Sequence, residues 1–138
     1  MKPPDKPLLI FDGDCHFCRR WIERWREITR GAVEYAPFQE VAERFPEIPR
    51  ENFEQAVYFI AANGTVYRGA EAVFRSLGRK ARSWIWCYEH VPGFASITET
   101  AYRFVARRRR LASFFTRLLW GKDVRPPTYF ISRDIFIR

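Results

Sequence analysis

The 138-residue chain predicts an α/β domain in the order β-α-β-α-β-β-α, extended at its C-terminal end by helices. Three observations carry this. The apolar run Leu8-Leu9-Ile10-Phe11 stops at Asp12-Gly13-Asp14 and leads at once into an amphipathic pattern. Two β-rich runs, residues 55–61 and 65–68, flank Asn63-Gly64, a strong short-range hairpin signal. From residue 69 onward the apolar spacing is mostly helical.

Taken in order, residues 1–6 are a polar, proline-containing lead-in. Residues 8–11 show no polar alternation, which suits a central strand buried on both faces. Asp12-Gly13-Asp14 is turn chemistry, with Gly13 free to take a positive φ and Asp14 placed to cap the next helix. That helix is expected over residues 15–29, with Cys18, Trp21, Ile22, Trp25 and Ile28 on one stripe. Arg30-Gly31 ends it. Residues 33–36 read as a second strand, parallel to the first if the helix is a crossover. Residues 38–45 form a short helix or turn, and Pro46 and Pro49 punctuate a loop. After the hairpin, residues 69–77 form a helix with Ala72, Val73 and Leu77 inward.

The remainder reads as three helices. Residues 81–90 are rich in aromatics (Trp84, Trp86, Tyr88) and are broken by Val91-Pro92-Gly93. Residues 96–109 place Ile97, Ala101, Phe104 and Val105 on one inward side. Residues 111–120 carry Leu111, Phe114, Phe115, Leu118 and Leu119. Trp21, Trp25, Phe104, Phe114 and Phe115 are expected in the core. One domain thus spans residues 1–120, with a basic, apolar tail at 121–138.

Apolar residues make up 47% and aromatics 17% of the chain, which argues against disorder. The net charge of +8 is uneven: residues 1–74 sum to −2 and residues 75–138 to +10. Three cysteines are an odd count and no disulfide framework. The polar start and this cysteine usage point to a cytosolic protein. No apolar stretch is long enough to span a membrane.

The chemistry concentrates in Cys15-His16-Phe17-Cys18. Cys15 falls at a helix N-terminus, whose partial positive charge favours a thiolate, the nucleophile of disulfide exchange. Cys18 lies one turn on, on the same side, with its main chain more enclosed. Cys15 is therefore the attacking thiol and Cys18 the resolving one. His16, if protonated, would lower the Cys15 pKa further and make the disulfide more oxidising. Asp12 shapes the turn or relays a proton near Cys18. The dithiol is its own redox centre and calls for no cofactor.

Asp12-Gly13-Asp14-Cys15-His16-Phe17-Cys18 resembles the signature of the DCC family of thiol-disulfide oxidoreductases, a branch of the thioredoxin-like fold. Asn63-Gly64-Thr65-Val66-Tyr67-Arg68-Gly69-Ala70-Glu71-Ala72-Val73 resembles that family's hairpin and following helix. Val91-Pro92 and Ala101-Tyr102-Arg103-Phe104-Val105-Ala106-Arg107 resemble its C-terminal segment. The likeness implies a thioredoxin-like fold and exchange with protein or small-molecule disulfides and thiols. In one respect the chain departs from thioredoxin-like enzymes, which place a cis-proline before the hairpin's first strand: Phe53, Glu54 and Gln55 hold none, and Pro49 lies too early. Residues 119–129 and 133–138 resemble the junction where such a domain precedes a membrane domain like that of lipase maturation factors. A basic, aromatic tail of this kind suits a membrane surface or a membrane protein.

Rival readings remain. Cys15, Cys18, Cys87 and His90 make a Cys₃His set with zinc-ligand spacing, as in a structural module. Cys87 is alternatively a small buried residue, and His90 a helix C-terminal partner of the dipole. A hydrophobic strand followed by Asp-x-Asp resembles haloacid-dehalogenase-like phosphatases, but no late acidic pair accompanies it. The run Arg107–Arg110 attracts phosphate, yet no nucleic-acid signature accompanies it, and a basic docking domain without redox activity is the reading left.

Overall fold

The computed structural model describes residues 2–108 and Leu118. Strands β1 (Leu8–Phe11), β2 (Glu34–Pro37), β3 (Tyr58–Ile60) and β4 (Val66–Arg68) form one sheet in the order β2-β1-β3-β4. β1 is parallel to β2 and antiparallel to β3, and β3 is antiparallel to β4. Between and after them come α1 (His16–Thr29), α2 (Phe38–Val41), α3 (Arg50–Gln55), α4 (Gly69–Ser76), α5 (Arg82–His90) and α6 (Phe94–Arg107).

β1 lies in the middle of the sheet, and its side chains alternate between two clusters. Leu8 and Ile10 pack with Phe38, Val41, Phe45, Phe53, Tyr58 and Ile60. Leu9 and Phe11 pack with Ile22, Val57, Phe59 and Ala72 on the other face. Both faces being covered, the strand needs no polar position, which accounts for its unbroken apolar run. Burying each such side chain contributes about 1.5–3 kcal/mol, and this anchors the point where β1 ends.

α1 ends as its sequence suggests. Arg30 adopts the left-handed conformation and donates its N–H to the Arg26 carbonyl. Arg26 donates to the Tyr35 carbonyl at 3.2 Å, and the Thr29 and Tyr35 hydroxyls lie 3.1 Å apart. The far end of the helix is thereby tied to β2. At the hairpin, Gly64 takes a φ of +86°, and Asn63 Oδ1 accepts the Thr65 N–H.

The structure corrects several expectations. Residues 55–61 are not one strand: α3 runs to Gln55, the Ala56 N–H still bonds to the Asn52 carbonyl, and β3 covers only Tyr58–Ile60. The buried Phe53 ring, stacked on Phe38 at 6.0 Å, draws this stretch into a helix. Trp21 is 44% and Phe104 57% exposed, so neither is core. α1 buries only Ile22, and Trp21 packs along the helix against Phe17 and Trp25.

The expected inward side of α6 faces out. Ile97, Ala101, Phe104 and Val105 are exposed, while Glu99, Tyr102 and Ala106 are half-buried. Polar bonds set this orientation. The Glu99 carboxylate accepts the Glu71 N–H at the start of α4 at 3.2 Å and the Tyr88 hydroxyl at 3.1 Å. It also fills the space a side chain at Gly69 would need, since a Cβ there would come within 2.6 Å of Glu99 Oε2. The expected helix at 111–120, with Phe114 and Phe115, and the tail at 121–138 lie outside the described residues, apart from Leu118. Among the described residues no helix is long and apolar enough to cross a membrane.

Candidate active site

The site forms where β1 stops. Cys15 is the N-cap of α1, with φ −84° and ψ 109°, and its Sγ accepts the Cys18 N–H at 3.2 Å. The first N–H groups of a helix have no intrahelical acceptor, and here a sulfur takes one of them. An anionic sulfur accepts such a bond more strongly than a neutral one, and the helix dipole acts in the same sense. Cys18 lies three residues on, on the same side of the first turn, with its Sγ 2.6 Å from that of Cys15.

One expectation changes here. Asp14 was expected to cap α1, but Cys15 does so; the Asp14 N–H is engaged by Asp12 Oδ1 at 3.0 Å, and the Asp14 carboxylate points to Gln39. As whole residues, Cys15 is buried at 9% exposure, and Cys18 is half-buried and lines an open cleft.

Gln39, on α2, organises the turn. Its Oε1 accepts the Gly13 N–H at 3.1 Å. Its Nε2 donates to Asp12 Oδ1 at 2.9 Å and to Asp14 Oδ2 at 3.2 Å. One neutral amide thus holds two carboxylates and the backbone between them. The Cys15 N–H in turn reaches the Asp12 carbonyl at 3.3 Å, so both the side chain and the main chain of Asp12 shape the approach to Cys15. Gly13 is not among the positive-φ glycines. It is needed for close approach: a Cβ there would lie 2.7 Å from Pro37 Cβ and 3.0 Å from Gln39 Oε1.

Beside Cys18 opens a cleft of about 50 Å³ lined by Asp12, Phe17, Phe53, Val57 and Tyr102, among others. The Tyr102 hydroxyl accepts the Val57 N–H at 2.9 Å, and the Val57 carbonyl accepts the Gly69 N–H at 3.0 Å. Ala56-Val57, and not the residues 53–55 considered for a proline, directly precede β3, and no cis peptide bond occurs among the described residues.

His16 is the first residue of α1 and is half-buried. Cys87 and His90 are not brought to this site. They sit on α5, where His90 Nδ1 lies 3.0 Å from the Trp86 carbonyl oxygen and its ring stacks on Trp86. Among the described residues no group of three or more His, Cys, Asp or Glu could hold a metal ion. The Cys₃His set is thus not assembled, because its two halves belong to separate layers: the end of β1 and the outer helix α5.

Gln39 and Tyr102 were not singled out as site residues from the sequence. Gln39 lies 25 residues from Asp14, and nothing local marks it; the one indirect sign is a glycine at position 13 that needs no unusual φ. Tyr102 sits on the half-buried side of α6 rather than on its apolar stripe.

A sheet in this order, with a Cys-x-x-Cys at the start of the first helix, defines a thioredoxin-like dithiol protein. The family model of the DCC1-like thiol-disulfide oxidoreductases matches residues 9–115, and the chain belongs to that family. Searches of the curated proteins and of the solved structures found no match.

Proposed function

We propose that the chain exchanges thiols and disulfides through Cys15 and Cys18. The observation that carries this is the Cys15 sulfur capping α1, with the Cys18 thiol in contact with it. The Cys15 thiolate attacks one sulfur of a substrate disulfide and releases the other half as a thiolate. Cys18 gives up its proton and attacks Cys15 Sγ, releasing the second substrate thiolate. Two protein thiols become one disulfide, the substrate disulfide becomes two thiols, and the cycle runs in either direction. Attack is assigned to Cys15 because reactivity follows the thiolate, although Cys18 is the more open residue. His16, when protonated, adds positive charge beside Cys15. Three free cysteines suit a reducing, cytosolic compartment.

The test is trapping. Cys18→Ser is expected to accumulate a mixed disulfide through Cys15, and Cys15→Ser to lose exchange. Trapping by Cys15→Ser instead would reverse the two roles. If neither variant traps and the double variant matches wild type in a reductase assay, the reading fails.

A further inference from the structure

We infer that the substrate is a small disulfide or thiol bearing carboxylates, held by Arg103 and Arg107 on α6. The inference rests on the exchange reading above and names its substrate class. The cleft beside Cys18 adjoins a much larger open groove of about 1120 Å³: Ala56, Tyr102 and Ala106 line both. The near end is apolar and small. The far end carries Arg68, Arg103, Arg107 and Arg108 against Glu54 and Glu99.

These charges are not equally available. Glu99 is engaged by the Glu71 N–H and the Tyr88 hydroxyl. Arg68 donates to Gln55 Oε1 at 3.3 Å and lies over the Tyr58 ring. Arg108 lies over the Phe104 ring. Arg103 and Arg107 make no hydrogen bond or ion pair among the described residues. They are exposed and four residues apart, so they share one helix face. Like charges at that spacing work against the helix, and a carboxylate placed between them removes the repulsion. Arginine's planar fork is matched to carboxylate geometry.

The same groove argues against an extended peptide. Strand-like recognition uses free backbone groups, and at Val57 both are taken, the N–H by Tyr102 and the carbonyl by Gly69. A compact ligand with its sulfur at the cysteines and its carboxylates on α6 needs neither group.

The experiment measures oxidation of the reduced 138-residue chain by three disulfides at low ionic strength, read by alkylation and intact mass. Each rate is normalised to that of a free dithiol. The probes are glutathione disulfide, which carries carboxylates, bis(2-hydroxyethyl) disulfide, which is neutral, and cystamine, which is cationic. Glutathione disulfide is expected to react about tenfold faster than cystamine, an advantage that added salt removes. The double variant Arg103→Gln/Arg107→Gln is expected to lose that advantage and to keep its rate with the neutral probe. Arg79→Gln/Lys80→Gln removes the same charge from exposed positions on the turn Gly78–Ala81 and is expected to keep the advantage.

Equal normalised rates for the three probes would overturn the inference, as would an equal loss in the Arg79/Lys80 control. A disulfide-linked acidic peptide that outpaces glutathione disulfide would also overturn it, by moving the substrate to peptides. Failure of all three probes, the neutral one included, would instead remove the exchange reading on which it rests.

Discussion

The end of β1 and the α5–α6 arm are built on opposite principles. At the end of β1, Leu9, Ile10 and Phe11 are at most 1% exposed, and the turn that follows is held by Gln39 through three hydrogen bonds. α5 and α6 contain no buried residue. They are held by the Glu99 and Tyr88 bonds, by Arg75 of α4 paired with Glu89 of α5, and by rings such as Phe74 stacked on Trp84. On the proposed exchange reading, two sulfurs that must meet need a fixed frame, and a buried strand supplies one. On the proposed ligand reading, a surface that selects by charge needs only the right side chains on an exposed face.

The largest expected effect sharpens that contrast. Phe11→Ala removes a ring from the fully enclosed side of the frame and is expected to cost about 3–5 kcal/mol. Ile97→Ala, at a position 69% exposed on α6, is expected to change stability by no more than about 0.5 kcal/mol. Urea unfolding of the two variants checks both. Similar losses would mean that the arm is as much a part of the frame as the strand.

An intermediate effect is expected at Gln39. Gln39→Leu leaves the Gly13 N–H without its acceptor and takes the amide donor from both carboxylates, at a cost of about 1–3 kcal/mol. The loss also reaches the thiol, because two carboxylates beside Cys15 then act on it without the amide between them, and nearby negative charge disfavours a thiolate. The pH midpoint of Cys15 alkylation should therefore rise, and rise further in Gln39→Glu, which adds a third carboxylate. A variant less stable but unshifted in midpoint would make Gln39 purely structural.

This contrast also decides what could be read from the residues alone. β1, α1, the hairpin at Asn63-Gly64 and the pair Cys15/Cys18 follow from local patterns: an unbroken apolar run, a helical stripe, a turn dipeptide and a fixed spacing. α6 was legible as a helix but not in its orientation. Its apolar stripe of Ile97, Phe104 and Val105 faces outward, because Glu99 and Tyr102 bond inward to α4, α5 and the residue before β3. Periodicity counts apolar residues and is blind to polar partners contributed by distant segments. For the same reason Gln39 was invisible, and so was the sulfur that takes the capping role expected of Asp14. The zinc grouping failed in the converse way: the spacing within each pair was suitable, but the topology keeps the pairs in different layers.

The smallest expected effect lies inside the arm. The Tyr88 hydroxyl donates to Glu99, and its pKa is pushed up to about 12 from 10.0, first by burial and then by the Glu99 charge. A pKa raised on folding means that the protonated phenol is favoured in the folded state. Its contribution is complete below pH 10, where the unfolded phenol is also protonated, and is lost as pH rises towards 12. Tyr88→Phe should cost about 0.5–1.5 kcal/mol at neutral pH for one neutral donor's bond, with the charged acceptor near the upper end. It should also flatten the fall in stability between pH 10 and 12 relative to wild type, because the group that titrates there is gone. Parallel stability curves for the two proteins across that interval would show that Glu99 holds the arm through the α4 N–H alone, and that the Tyr88 hydroxyl is no part of its attachment.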